Sequence, residues 1–185
     1  MRGMCYNIRR IARVKCHLTT SACAKAVTAT VLSRLDYHNG LLLGAPEKTI
    51  KKPQVAQNNA ARLLTGASRR DHMTPVLQQL HWLPVEARIT FKILTTIQKS
   101  LHSPTALHYL TELSPLYQPS RPLRSSRDRW KIVRSRSENK YGARSYTSLG
   151  AELWNDLSKK MREPMSKAAF RRKLKTVLFK SSYGL

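Results

Sequence analysis

The sequence predicts a mainly α fold: short amphipathic helices, with a basic extended or disordered segment at about 114–144. Three observations lead there. Apolar residues recur at steps of three and four through most of 5–110 and again through 147–180. Gly, Pro and Asn punctuate the gaps between those stretches. The 185 residues also carry 34 Lys and Arg against 10 Asp and Glu, a formal charge of +24 that opposes a large compact core. From these shifts in character we expect a helical region over 1–110, a basic Pro/Ser/Arg-rich linker over 111–146 and basic helices over 147–185.

Residues 5–18 place Ile8, Ile11, Ala12 and Leu18 on one face, with Arg9, Arg10 and Arg13 around it, which predicts a basic amphipathic helix. Thr19, Thr20 and Ser21 offer N-cap hydroxyls to a second helix. That helix carries Cys23, Ala26, Val27, Thr30, Val31 and Leu35 at helical spacing, and Asn39-Gly40 and Gly44-Ala45-Pro46 end it. Over 47–65 the inward set is Val55, Ala60, Leu63 and Leu64, with Gly66 at the C-cap position. Pro53 lies inside that pattern, where a proline costs about 3 kcal/mol, so a break or a late start is expected.

A short helix over 74–80 precedes Trp82-Leu83-Pro84, and Pro84 suits the first turn of the next helix. Its Val85, Ile89, Ile93, Ile97 and Leu101 recur every four residues until Ser103-Pro104. Beyond Tyr109 the pattern fades. Pro115, Pro119 and Pro122 fall among many Ser and Arg, and only Trp130, Ile132 and Val133 suggest a short strand. Helix returns over 147–157 and over 166–180. The last helix has Ser166 as its cap and Phe170, Leu174, Val177 and Leu178 facing inward.

Apolar residues make up 41% of the chain and charged ones 24%, which allows a modest core. Cys5, Cys16 and Cys23 are odd in number and lack C-x-x-C spacing, which points to a reducing compartment, nucleus or cytoplasm, rather than a disulfide scaffold. No apolar run approaches the length of a membrane span. The first 35 residues contain no acid and many Arg, Ser and Thr, the composition of a mitochondrial transit peptide, and this leaves a mitochondrial destination as a minor alternative.

Residue patterns that carry chemistry are sparse. Two-metal nucleotidyl transfer needs carboxylates close together, yet the ten acids never adjoin. Glu152 and Asp156, four apart, read as a surface acid pair on a helix. Cys16-His17, Cys23 and His38 have zinc-ligand atoms at the wrong spacing for a knuckle, and buried thiols explain them better. His72 and His81 flank a short helix without a carboxylate partner, which fits turn capping and packing. No nucleophile elbow is present. No catalytic residue, metal site, cofactor or small-molecule substrate is therefore expected. Trp82 and Trp154 lie in apolar surroundings and suit a core, whereas Trp130 lies amid Arg127, Arg129 and Lys131.

Three stretches, 2–25, 120–144 and 159–180, are basic with few acids to pair. Arg121, Arg124, Arg127, Arg129, Lys131, Arg134 and Arg136 fall in the second, and Arg171, Arg172, Lys173 and Lys175 in the third. Neutralising phosphates and releasing their counterions is the direct physical use of such charge. Trp130 among them suits base stacking. No base-reading motif is present, so contact with the RNA or DNA backbone without strong sequence choice is expected.

Several words of the chain resemble the region downstream of the polymerase palm in non-LTR (LINE-type) retrotransposon reverse transcriptases. They are SRLDYHNGLLLG (33–44), QNNAARLLTG (57–66), DHMTPVLQQLHWLPVEARITFKIL (71–94), PSRPLRSS (119–126), YGARSY (141–146), GAELWNDL (150–157) and FRRKLKTVLF (170–179), in the family's order. NIRRIARVKCHLTT resembles the helix just upstream. The resemblance implies a non-catalytic position at and beyond the thumb, where the family's polyprotein grips template RNA and primer duplex. The chain departs from the family at His38, where Cys is usual, at Pro53, at Ser158, where Pro is usual, and at Ala106-Leu107-His108. Two alternatives stand beside this reading: an inert translated remnant without a specific partner, and a basic organellar or ribosomal protein with a transit peptide.

Overall fold

Helical periodicity is realised along most of the chain, and a computed structural model describes residues 2–37, 39–119 and 130–185. The fold is mainly helical, and the described residues include no named strand. The chain forms two compact units, Met1–Ile89 with Leu178–Leu185, and Thr90–Val177. The linker boundaries expected at 110/111 and 146/147 both fall inside the second unit.

In the first unit, α1 spans Arg2–Val14 and is followed by a 3-10 turn, Lys15–His17. Met4 and Ile11 are buried and Ile8 packs against the same core, while Ala12 and Leu18 face outward, contrary to expectation. The 3-10 turn explains Leu18, because the chain leaves the helical register before reaching it. Thr19 caps α2 (Thr20–Val27): its Oγ1 accepts from the Ala22 N–H at 3.2 Å. A π-helical turn, Thr28–Leu32, and α3 (Ser33–Asp36) continue it, so that Cys23, Val27, Val31 and Leu35 line one buried seam.

Helix α4 runs unbroken from Glu47 to Thr65, straight through Pro53. The expected break does not occur. The proline removes one backbone donor, and side-chain bonds from the next turn help to hold the helix in place. Gln54 Oε1 accepts from the Val85 N–H at 2.8 Å, and Gln57 Nε2 donates to the Leu83 carbonyl at 2.8 Å. Those two glutamines also correct the expected inward face. Ala56, Gln57, Ala60 and Ala61 are buried, whereas Val55 is 49% exposed. Gly66 ends the helix at φ 75°, a left-handed conformation that glycine adopts without strain.

Helix α5 (Met73–Gln79) leads to the Trp82-Leu83-Pro84 turn. The carbonyls of Trp82 and Leu83 are both engaged. Tyr183 Oη donates to Trp82 O at 2.5 Å, and Arg88 Nε donates to Leu83 O at 3.0 Å. Arg88 Nη1 also reaches both Asp36 oxygens at 3.0 Å. One polar network thus joins α3, α4 and the start of α6 (Val85–His102). His81, with φ 51°, packs its ring 5.8 Å from that of Phe179.

The second unit is built on the remainder of α6, α7 (His108–Glu112), α8 (Lys140–Ala143), a π-helical turn Tyr146–Gly150, α9 (Ala151–Asn155), α10 (Lys159–Arg162) and α11 (Lys167–Tyr183) up to Val177. Ile93, Leu94, Ile97, Trp154, Phe170 and Leu174 are buried. The Trp154 and Phe170 rings lie 5.9 Å apart. Gly150 packs closely on α6: a Cβ there would stand 3.4 Å from the Ile93 side chain, an ordinary contact distance. Val177, expected inward, is 46% exposed, because Phe170 and Leu174 alone make the deep contacts on α11.

Candidate nucleic-acid interface

The basic segment is held where the described residues resume at Trp130. Leu116 and Ile132 form an isolated antiparallel bridge, with Tyr117 N–H donating to Lys131 O at 2.8 Å and Val133 N–H to Pro115 O at 2.9 Å. This pattern turns the Ile132 amide and carbonyl away from Leu116. Asn155 meets them from α9: its Oδ1 accepts from Ile132 N–H at 3.0 Å and its Nδ2 donates to Ile132 O at 2.9 Å. One carboxamide thus replaces a neighbouring strand. Beside it, Trp154 Nε1 donates to Trp130 O at 2.7 Å. The expected short strand over 130–133 is therefore an extended run pinned by a Trp-Asn pair.

That clamp directs the residues after it outward. Arg134 and Arg136 are exposed and line an open cleft of about 590 Å³ with Ser135, Ser137, Glu138 and Ser148. Arg134 Nη2 stands 2.9 Å from Glu152 Oε2, so Glu152 pairs with a base rather than forming the expected acid pair with Asp156. Half of each side chain faces solvent, so the pair contributes at most about 1 kcal/mol and leaves Arg134 accessible to a stronger anion. Lys131 is half-buried. Arg121, Arg124, Arg127 and Arg129 lie outside the described residues.

Trp130 is half-buried, with the His102 ring edge-on at 4.5 Å. The indole is thereby packed on one side. His102 Nε2 lies 3.1 Å from the Arg162 carbonyl, and burial lowers the imidazole pKa, partly countered by that hydrogen bond. Burial thus disfavours the charged form of this ring. Trp154 is fully buried, as its apolar surroundings predict, and Trp82 packs against the core of the first unit.

Helix α11 supplies the second group. Its Ser166 hydroxyl accepts from the Ala169 N–H at 3.3 Å, and Phe170 and Leu174 fix its rotation by facing inward with no exposure. At 100° per residue Arg172 and Lys175 then face away from the core, with Arg171 and Lys173 on the two flanks. All four are exposed. Arg171 lies with its guanidinium 5.7 Å from the Phe91 ring centre, which braces it without neutralising it. Arg172, Lys173 and Lys175 have no carboxylate partner among the described residues, and no acid follows Glu163 in the sequence.

Among the described residues no three His, Cys, Asp or Glu side chains gather to hold a metal ion. Cys23 is buried, Cys5 half-buried and Cys16 exposed. No helix among the described residues is long and apolar enough to cross a membrane. Asn155 and its clamp on Ile132 escaped sequence reasoning. The only local signal was a polar residue following a buried Trp on a short helix. The chain matches no protein-family model, no curated protein and no solved structure.

Proposed function

We propose that this chain binds RNA or DNA through the phosphate backbone without strong sequence preference and catalyses no reaction itself. The observation that carries the proposal is the acid-free face of α11, where Arg171, Arg172, Lys173 and Lys175 stand exposed on a helix whose rotation the core fixes. Unpaired guanidinium and ammonium groups on a rigid support suit phosphate oxygens, and releasing condensed counterions supplies the driving force. Lys131, Arg134 and Arg136 extend the same chemistry along the pinned strand of the same unit. The resemblance to the post-palm region of LINE-type reverse transcriptases supports this reading, since that region lies against template and primer. The chain offers no adjacent Asp pair for metal-assisted nucleotidyl transfer.

The test is substitution of Arg171, Arg172, Lys173 and Lys175 by Gln in the full chain, with binding read by filter retention of a uridine homopolymer and of a DNA duplex. Affinity should fall for both ligands, and for other sequences alike, with far-UV circular dichroism unchanged. Retention of full affinity by that variant would refute the assignment. Primer extension by the pure parent chain should be absent with any divalent metal, and measurable extension would overturn the non-catalytic reading.

A further inference from the structure

We infer that α1 is a second, separate polynucleotide-binding element, formed by Arg2, Arg9 and Arg13 in line with Tyr6 on its exposed face. The inference deepens the proposed nucleic-acid binding and rests on it, but it places a site on the first unit, which holds none of the residues of α11 and the pinned strand named for that binding. Met4 and Ile11 are buried and fix which side of α1 faces the core. At 100° per residue Arg2, Tyr6, Arg9 and Arg13 fall within about 60° of one another, directly opposite. All four are exposed, Tyr6 by 59%. The helical rise puts Arg2 and Arg9 about 10 Å apart along the axis, and Arg9 and Arg13 about 6 Å apart.

Two further arginines flank that face. The Arg10 guanidinium lies 5.7 Å from the Tyr6 ring centre. Gly3 has room beside it for the tip of Arg34: a Cβ at residue 3 would stand 2.7 Å from Arg34 Nη1. Five arginines thus crowd one helix, and no acid precedes Asp36 in the sequence. Asp36 is itself held by Arg88 at 3.0 Å. Like charges in such proximity repel one another, and a polyanion relieves the repulsion. Arginine's planar fork suits bidentate phosphate contact, and an exposed tyrosine among arginines suits a stacked base. An anionic membrane is a poorer occupant, because Met4, Ile8 and Ile11 of α1 are already spent on the protein core and the exposed side is mainly arginine, with Tyr6, Ala12 and Val14 its only larger apolar surface.

The experiment uses the full chain and replaces Arg2, Arg9 and Arg13 together by Gln, beside Tyr6→Ala and the α11 quadruple substitution. Binding of a uridine homopolymer and of a DNA duplex is measured across a salt series. The triple variant should make the slope of log K against log salt shallower by about two units on single strands, at about 0.7 for each phosphate left without its arginine. Tyr6→Ala should weaken single-strand binding by roughly five-fold or more and leave duplex binding unchanged. Unchanged circular dichroism and melting temperature would show that both variants fold. If the parent binds and the α11 variant weakens while the α1 variant keeps the parent slope, the inference fails and the proposed function stands. If the parent itself shows no salt-dependent binding, both fail. Loss of binding to phosphatidylserine vesicles with polynucleotide binding intact would also overturn the inference and assign α1 to a membrane surface.

Discussion

Replacing Asn155 by Ala should release the extended run at 130–133. The side chain satisfies both polar groups of Ile132, whose residue is 3% exposed. Alanine would leave a buried N–H and a buried carbonyl without partners, at about 1–3 kcal/mol each. Asn155 is half-buried, so water can reach part of the site, and the total falls nearer about 2–4 kcal/mol. The two units need not unfold together, so a residue-level readout is the suitable one. Amide exchange at Ile132, Tyr117 and Val133 should accelerate by about 30- to 900-fold, the factor equivalent to that free energy. The effect should be confined to the second unit. Exchange at these three amides unchanged in the variant would refute the argument that one carboxamide stands in for a strand.

Pro53→Ala should stabilise the first unit by about 1–2 kcal/mol, since α4 already runs through residue 53 and alanine restores a backbone donor, partly offset by a freer unfolded chain; denaturant unfolding checks it. Tyr183 has its phenol pushed up to about 12, chiefly by burial and partly countered by Arg88. Its folded form therefore holds the proton that the unfolded form releases near 10, so this stability is complete below pH 10 and is lost as pH rises towards 12. After discounting for solvent screening it amounts to about 1 kcal/mol, and Tyr183→Phe should lessen the alkaline loss of stability, to which Tyr146, also raised by burial, still contributes. His102 behaves in the opposite sense: burial holds its pKa below 6.5, so stability is present above that pH and declines as pH falls below it, and His102→Gln should flatten an acid titration of unfolding.

The helices were legible wherever one face meets protein along its whole length. Val85, Ile89, Ile93 and Ile97 repeat every four residues, and all four are buried. Legibility failed where residue type and environment part company. Val55 looks like core and is exposed, while Gln57 looks like surface and is fully buried. Gln57 is buried because the Leu83 carbonyl, 26 residues away, needs a donor, and no local pattern encodes that partner. Pro53 failed for a similar reason, since local propensity was outweighed by tertiary bonds from Gln54 and Gln57. The π-helical turns at Thr28–Leu32 and Tyr146–Gly150 shift register by less than sequence periodicity can detect. Of the candidate site, the basic character of α11 was readable from Ser166 onward. The packing of Trp130 against His102 was not, because the two lie far apart in sequence and only the fold juxtaposes them.

Backbone binding stands or falls on the salt dependence of the parent chain on polynucleotide. If about six phosphates are engaged, log K against log salt should fall with a slope near −4 on single strands and near −5 on duplex. Sequence-scrambled ligands should give the same slopes. A flat salt response would rule out phosphate engagement and leave the basic faces as solvated surface on an inert chain.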